Sequence, residues 1–262
     1  MNIRLLLGGA VTAVMLGSAA QAAPVPVDLS GWVEDGTGNW NVQPGNDSVL
    51  QTLNTGTPAV FYAPGTNAQG TALSGKITVN TSTTDDDFIG FVLGYQAGEV
   101  TSANTSFILV DWKGGDQQNA GQFGAAGLAI SHVTDGSTAN NYWGHTGGIN
   151  EIERATNLGA TGWQEGVEYE FDIVFNANLI EVFVNGVKEL STTAAEAGLG
   201  SFGNGAFGFY NYSQDRVLYS ALEEREAPPQ DPDIPLPATP LLLIPGLIGL
   251  GAARRRARRK QV

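Results

Sequence analysis

The stretch IEVFVNGVKEL, Ile180 to Leu190, is written in the period of a β-strand. Ile180, Val182 and Val184 fall on one face while Glu181 and Phe183 take the other, because successive strand side chains point to opposite faces. Asn185-Gly186 then supplies the two residues of positive φ that a type I′ turn requires, and Val187-Lys188 begins the return strand. A β-hairpin is expected here. Outward from it, apolar runs recur at Leu73 to Asn80, Phe88 to Gln96, Ser106 to Trp112, Gly127 to Val133, Glu168 to Phe175 and Phe207 to Tyr212. Clusters of glycine, asparagine, serine and threonine separate them, which is the spacing of an all-β sandwich. No stretch holds a 3.6-residue apolar stripe beyond about ten residues. Val25 to Trp40 reads as an opening strand and loop, with Trp32 and Trp40 capping the core.

Both ends of the 262-residue chain differ from this pattern. Arg4, the apolar run Leu5 to Leu16 and Ala20-Gln21-Ala22 form the three parts of a secretory signal, so residues 1–23 are expected to be removed on export. At the other end IPLPA (Ile234, Pro235, Leu236, Pro237, Ala238) opens onto an apolar run that closes on the cluster RRRARRK. The run from Leu236 to Ala253 is about the minimum length for a membrane-spanning helix. The arginines behind it hold that end on the cytoplasmic side. Pro240, Pro245, Gly246 and Gly249 make it a poor permanent anchor, so it reads as a segment that halts export and is then processed. Before it, EEREAPPQDPD reads as a solvated spacer rather than a packed element.

The formal charge of −13 hides an asymmetry. Between the two signals the basic residues are Lys76, Lys113, Arg154, Lys188, Arg216 and Arg225, against all 26 acidic residues. Such a surface repels nucleic acid and anionic lipid and draws cations, hard divalent ones above all. The chain has no cysteine, which excludes disulfides and thiolate metal sites, and only His132 and His145 offer imidazole.

The most chemically pointed segment is TTDDDFIGFVLGYQ, Thr83 to Gln96. In a strand Asp85 and Asp87 share a face opposite Asp86; in a loop all three can bend toward one point. Massed carboxylates are costly unless a cation neutralises them, and oxygen-only ligation suits calcium. A solvated acidic turn is the plain alternative. Asp111 and Asp116 could close a calcium site if their strand end lies beside the run, or serve as ordinary loop carboxylates. Trp143 and His145, in the loop with Tyr142, Gly144 and Thr146, could stack on a sugar, or the tryptophan could anchor that loop to the core. The strand EYEFDIVF sets Glu168, Glu170 and Asp172 on one face, about 7 Å between neighbours. That is near the separation retaining glycosidases use, but Tyr169, Phe171 and Ile173 then face the core and leave the acids on the solvated back of the sheet. No GxSxG motif exists for a serine nucleophile.

Two resemblances add to this reading. The tail of IPLPA, apolar run and arginine cluster resembles the PEP-CTERM class of bacterial sorting signals in its VPLPA variant, with Ile234 in place of valine. That implies processing by an exosortase-type enzyme and delivery to the cell surface or extracellular matrix. Between the signals, DDDFIGFVLGYQ, SFILVDWKGGDQQ, GLAISHV, NYWGHTGG, the Gly162-Trp163 pair, FVNGVKEL and GNGAFGFYNYSQDRVLYSAL follow one another in the order of the thrombospondin C-terminal domain. This resemblance implies a concanavalin A-like jelly-roll sandwich of two antiparallel sheets, and a calcium-binding module of extracellular adhesion proteins without enzymatic activity. Carried over, Asp85, Asp86 and Asp87 match that family's acidic run, and Asp111 precedes its tryptophan-lysine strand end.

The expected organisation is a signal peptide over 1–23, the jelly roll over 24–222, a linker over 223–235 and the sorting tail with an apolar helix over 234–262. The expected function is an exported calcium-binding adhesion module that meets matrix or surface polysaccharide or protein, and not nucleic acid. A calcium-dependent lectin is the alternative, and a glucanase-type hydrolase a further one.

Overall fold

A computed structural model of the protein describes residues 23–81 and 85–228. The expected signal peptide, up to residue 22, and the expected sorting tail lie outside the described residues. Among the described residues no helix is long and apolar enough to cross a membrane.

Two antiparallel sheets carry the fold. In spatial order one sheet runs Val187–Thr193, Leu179–Val184, Glu168–Phe175, Thr71–Val79, Val217–Glu226, Val49–Gln51 and Trp40–Val42. The short strand Val25–Pro26 also pairs with Val217–Glu226. The other sheet runs Ile149–Arg154, Gly127–Val133, Phe107–Lys113, Phe88–Tyr95, Ala206–Tyr212, Pro58–Tyr62 and Val33–Gly36. All eight strands expected from the sequence are present, with ends moved by a few residues. The hairpin turns on Asn185 at φ 50° and Gly186 at φ 75°, and Ile180, Val182 and Val184 face the core as their alternation requires.

The space between the sheets is filled from both inner faces, by Ile77, Phe171, Ile173 and Val182 on one side and Ile89, Phe91, Val110, Ile130 and Phe209 on the other. Burial of this kind contributes roughly 25 cal/mol per Å² of apolar surface and is the main source of stability. Tyr219 crosses the gap: its hydroxyl donates to the Tyr210 carbonyl at 2.9 Å and accepts from the Gly90 amide at 3.2 Å. Trp32 and Trp40 pack against Phe61 at the rim as expected.

The outer face of the seven-stranded sheet is covered as well. Phe88, Val92, Phe107, Leu109, Tyr210 and Tyr212 form a second apolar cluster there, closed by Tyr142 and Trp143. Strands Phe88–Tyr95, Phe107–Lys113 and Ala206–Tyr212 are buried at every position. Burial on both faces is why they read as nearly continuous apolar runs.

Two expectations are corrected. Residues 142–144 end a short helix, Ala139–Gly144, that roofs this outer cluster. And residues 223–226 are not linker. They pair in register with Ser74, Leu73, Ala72 and Thr71, and Ala227, beyond them, is buried. A backbone ladder is indifferent to charged side chains that face solvent, so the composition misled there.

Candidate metal centre and its buried lysine

Register brings the chemistry together. Strands Phe88–Tyr95 and Phe107–Lys113 are antiparallel with Phe88 opposite Lys113. The last residue of one strand therefore stands beside the acidic run that precedes the other. The run is clamped through its backbone. The amides of Gly114 and Gly115 donate to the Asp86 carbonyl at 2.8 and 3.3 Å. Gln214 Oε1 accepts from the Asp87 amide at 2.9 Å, and Trp163 Nε1 donates to the Asp87 carbonyl at 2.9 Å. A Cβ at Gly115 would lie 2.0 Å from Asp86 Oδ2, so a side chain there would displace that carboxylate.

Held this way, Asp85, Asp86 and Asp87 converge, with one carboxylate oxygen from each lying within 4.8 Å of the others. Asn54 Nδ2 donates to Asp85. Lys113 enters from the interior with its side chain 0% exposed. Its ammonium donates to Asp87 Oδ1 at 2.7 Å and lies 3.2 Å from Asp86 Oδ1. It also reaches the Asp86 carbonyl and Gln117 Oε1, each at 3.1 Å. Its charge sits 4.7 Å from the Trp143 ring centroid and 5.2 Å from that of Phe88. Burial pushes the Asp87 carboxyl up to about 6; Lys113 works against this, and the Asp85 carboxylate beside it adds to the rise.

All donors in this group are hard oxygens, the chemistry that calcium selects. One ammonium cannot balance three carboxylates, so the residues present fit a divalent ion. Asp111 and Asp116 stand outside the group. Asp111 Oδ2 accepts from His145 Nε2 at 3.0 Å, and Asp116 Oδ1 accepts from the Ala126 amide at 2.7 Å.

Asp111 belongs to a second charged cluster. His145 Nδ1 lies 2.9 Å from Glu151 Oε2, which also takes Arg154 at 2.8 Å. Burial disfavours the imidazolium, yet Asp111 and Glu151 outweigh it and push His145 up to about 10. Burial works to raise the Glu151 carboxyl, but His145 and Arg154 hold it below the usual carboxylate range.

The sugar-stacking loop of Trp143 and His145 is corrected by this packing. Trp143 is 2% exposed, edge-on to Phe88 and Tyr212, and its indole donates to the Gln117 carbonyl at 3.2 Å. No ring face is left for a saccharide, and the core-anchoring alternative is what the structure contains. On the opposite sheet Glu168 pairs with Lys76 and Asp172 with Arg225, each at 2.6 Å. Tyr169, Phe171 and Ile173 point into or against the core. The acids of this strand form its solvated back, as its alternation suggested. Lys113 and Gln117 escaped a reading by residue type; the signal available was the position of the lysine at the end of a strand pairing with the acidic one.

Two face-to-face antiparallel sheets with an acid-lined rim define a lectin-like jelly-roll domain. The chain belongs to the thrombospondin C-terminal region family, whose family model matches residues 35–227. It is 28% identical over 202 residues to thrombospondin-4-B of Danio rerio, covering 71% of this chain and 20% of that protein. It is 26% identical over 213 residues to thrombospondin-2 of Homo sapiens, covering 76% of this chain and 17% of that one. The chain thus spans about a fifth of the length of these relatives. Among solved structures it is similar to the carbohydrate-binding module CBM66 of Bacillus subtilis (TM-score 0.51, 8% identity, 75% of this chain and 96% of that one). It is also similar to a Bacillus subtilis protein of galectin-like fold (TM-score 0.54, 11% identity, 80% and 99%). At these identities the likeness shows the fold alone.

Proposed function

We propose that the protein is an exported binding module of the cell surface or extracellular matrix that takes calcium through Asp85, Asp86 and Asp87 and serves adhesion without catalysis. The observation that carries this reading is the convergence of three carboxylates on one point at the rim, with ligand atoms within 4.8 Å of one another. Membership in the thrombospondin C-terminal region family supports an extracellular binding role. The absence of catalysis is supported by the engagement of three acid–base candidates: His145 is held between Asp111 and Glu151, and Glu168 and Asp172 are taken by Lys76 and Arg225. Delivery depends on the tail from Ile234, which would bring an exosortase-type enzyme as a partner and the membrane as a transient support.

In this reading Asp85 and Asp86 are the outer ligands and Asp87 the inner one. A bound calcium would neutralise their repulsion, and the chain's own residues already fix their backbone. The test is calcium titration by calorimetry with melting curves, on the wild type and on Asp85→Asn/Asp86→Asn. Asp87 is left intact because it partners a buried lysine. Binding heat and a calcium-dependent rise in melting temperature are expected in the wild type and lost in the variant. An equal rise in both would place the ion elsewhere.

A second reading, a carbohydrate-binding module, is favoured by the fold shared with CBM66. A glycan array with and without calcium tests it, and no binding in either condition removes it.

A further inference from the structure

We propose that Lys113 is a resident counter-ion of the acidic run that sets how strongly the run takes a divalent cation: it holds Asp87 when no ion is bound and opposes the ion when one arrives. The inference rests on the calcium reading above and concerns what regulates that site.

The lysine is built into the run. Its ammonium carries three donors, while Asp87 Oδ1, Asp86 Oδ1, the Asp86 carbonyl and Gln117 Oε1 all lie 2.7–3.2 Å away. A fully enclosed ammonium is stable only with such partners, and the buried Asp87 carboxylate is stable only with such a cation. Each therefore fixes the other in the absence of metal.

The geometry also orders the approach of an ion. Side-chain exposure rises from 0% at Lys113 and 3% at Asp87 to 50% at Asp86. The ammonium grips from the inside, and the outer carboxylates face the solvent from which an ion would come. An ion bound by Asp86 and Asp87 would share their carboxylates with the ammonium, so the two cations would repel across one pair of acids.

The packing around Lys113 opposes a withdrawal that would relieve this repulsion. Its stem passes so close to Gly124 that a Cβ there would lie 3.1 Å from Lys113 Cε. The Trp143 ring closes over its charge, and the same indole is bonded to the Gln117 carbonyl. The repulsion persists in the loaded state and weakens affinity, which suits a module working at calcium concentrations on the order of millimolar.

Lys113→Met keeps the stem and removes the charge. Calcium is then the main counter-charge for Asp87. We expect the melting temperature without calcium to fall, affinity to tighten about tenfold or more, and the calcium-induced rise in melting temperature to exceed that of the wild type. A lower melting temperature with unchanged affinity would make the lysine merely structural and overturn the proposal.

Should the variant not fold, wild-type protein carrying ¹³C-lysine decides. The Lys113 Cε resonance is expected to shift on calcium saturation, and an unmoved resonance overturns the proposal. The two readings separate cleanly. Calcium binding by the wild type with unchanged affinity in Lys113→Met sinks this inference alone. Binding by the variant but not the wild type sinks native calcium binding and leaves the role of the lysine standing. No binding by either removes both.

Discussion

Asp111 and Lys113 stand two residues apart on one strand, both buried and both on its outer face, yet their surroundings differ in kind. Asp111 ends in a closed set, Asp111–His145–Glu151–Arg154, in which two negative and two positive groups alternate. Lys113 ends among three carboxylates, at a rim where exposure rises outward. The first cluster is balanced in formal charge, although Asp111 Oδ1 is buried in it without a hydrogen-bond partner. The second keeps an excess of negative charge at the surface. Charge balance, rather than burial or the number of acidic groups, is what separates a fastening from a candidate binding site here.

The comparison breaks most visibly if the closed set is opened. Asp111→Ala leaves a buried imidazolium facing a hole and is expected to cost about 3–5 kcal/mol in urea unfolding, with or without calcium. A cost under about 1 kcal/mol would show that the set is not a unit.

The closed set should also show itself through pH. His145 titrates near 10 in the fold against 6.5 in the unfolded chain. The folded state therefore binds the extra proton between those values. The contribution of His145 is fully present below pH 6.5 and lost as pH rises toward 10. Unfolding free energy should fall across that window in the wild type, less so in His145→Gln, and saturating calcium should leave the fall unchanged. A calcium-sensitive window would mean the two clusters act as one.

Smaller effects are expected at the open cluster. Gly115→Ala forces the half-exposed Asp86 carboxylate aside and should cost at most about 1 kcal/mol, together with a loss of calcium affinity seen by calorimetry. Asp85→Asn/Asp86→Asn should change stability by less than about 1 kcal/mol without calcium, because partly exposed ion pairs contribute little.

The elements legible in the sequence are those whose pattern is local. The hairpin at Ile180 to Leu190 carries its alternation and its turn within eleven residues. The adjacency of Asp85, Asp86 and Asp87 is legible too, although their convergence depends on the backbone clamp from Gly114, Gly115, Gln214 and Trp163. What escaped depends on partners far along the chain. Nothing near Lys113 tells that register sets it opposite Phe88, or that Trp143, thirty residues on, covers its charge. Asp111 could be placed near the acidic run, but its capture by His145 could not be foreseen. Strand Ile149–Arg154 is half polar because it lies at an edge, and residues 223–226 look like linker because their side chains are charged. The helix over Ala139–Gly144 is too short for a periodic signal.

The final strand, Val217–Glu226, does not lie at a margin. It is bonded along its length to Thr71–Val79 and, on its other side, to Val49–Gln51 and then Val25–Pro26. Tension applied beyond residue 228 would therefore enter the domain lengthwise through an interior strand, whose hydrogen bonds must rupture together rather than one after another. Were the protein tethered by that end, the last described piece of the sandwich to emerge during synthesis would also be the piece that bears the mechanical load.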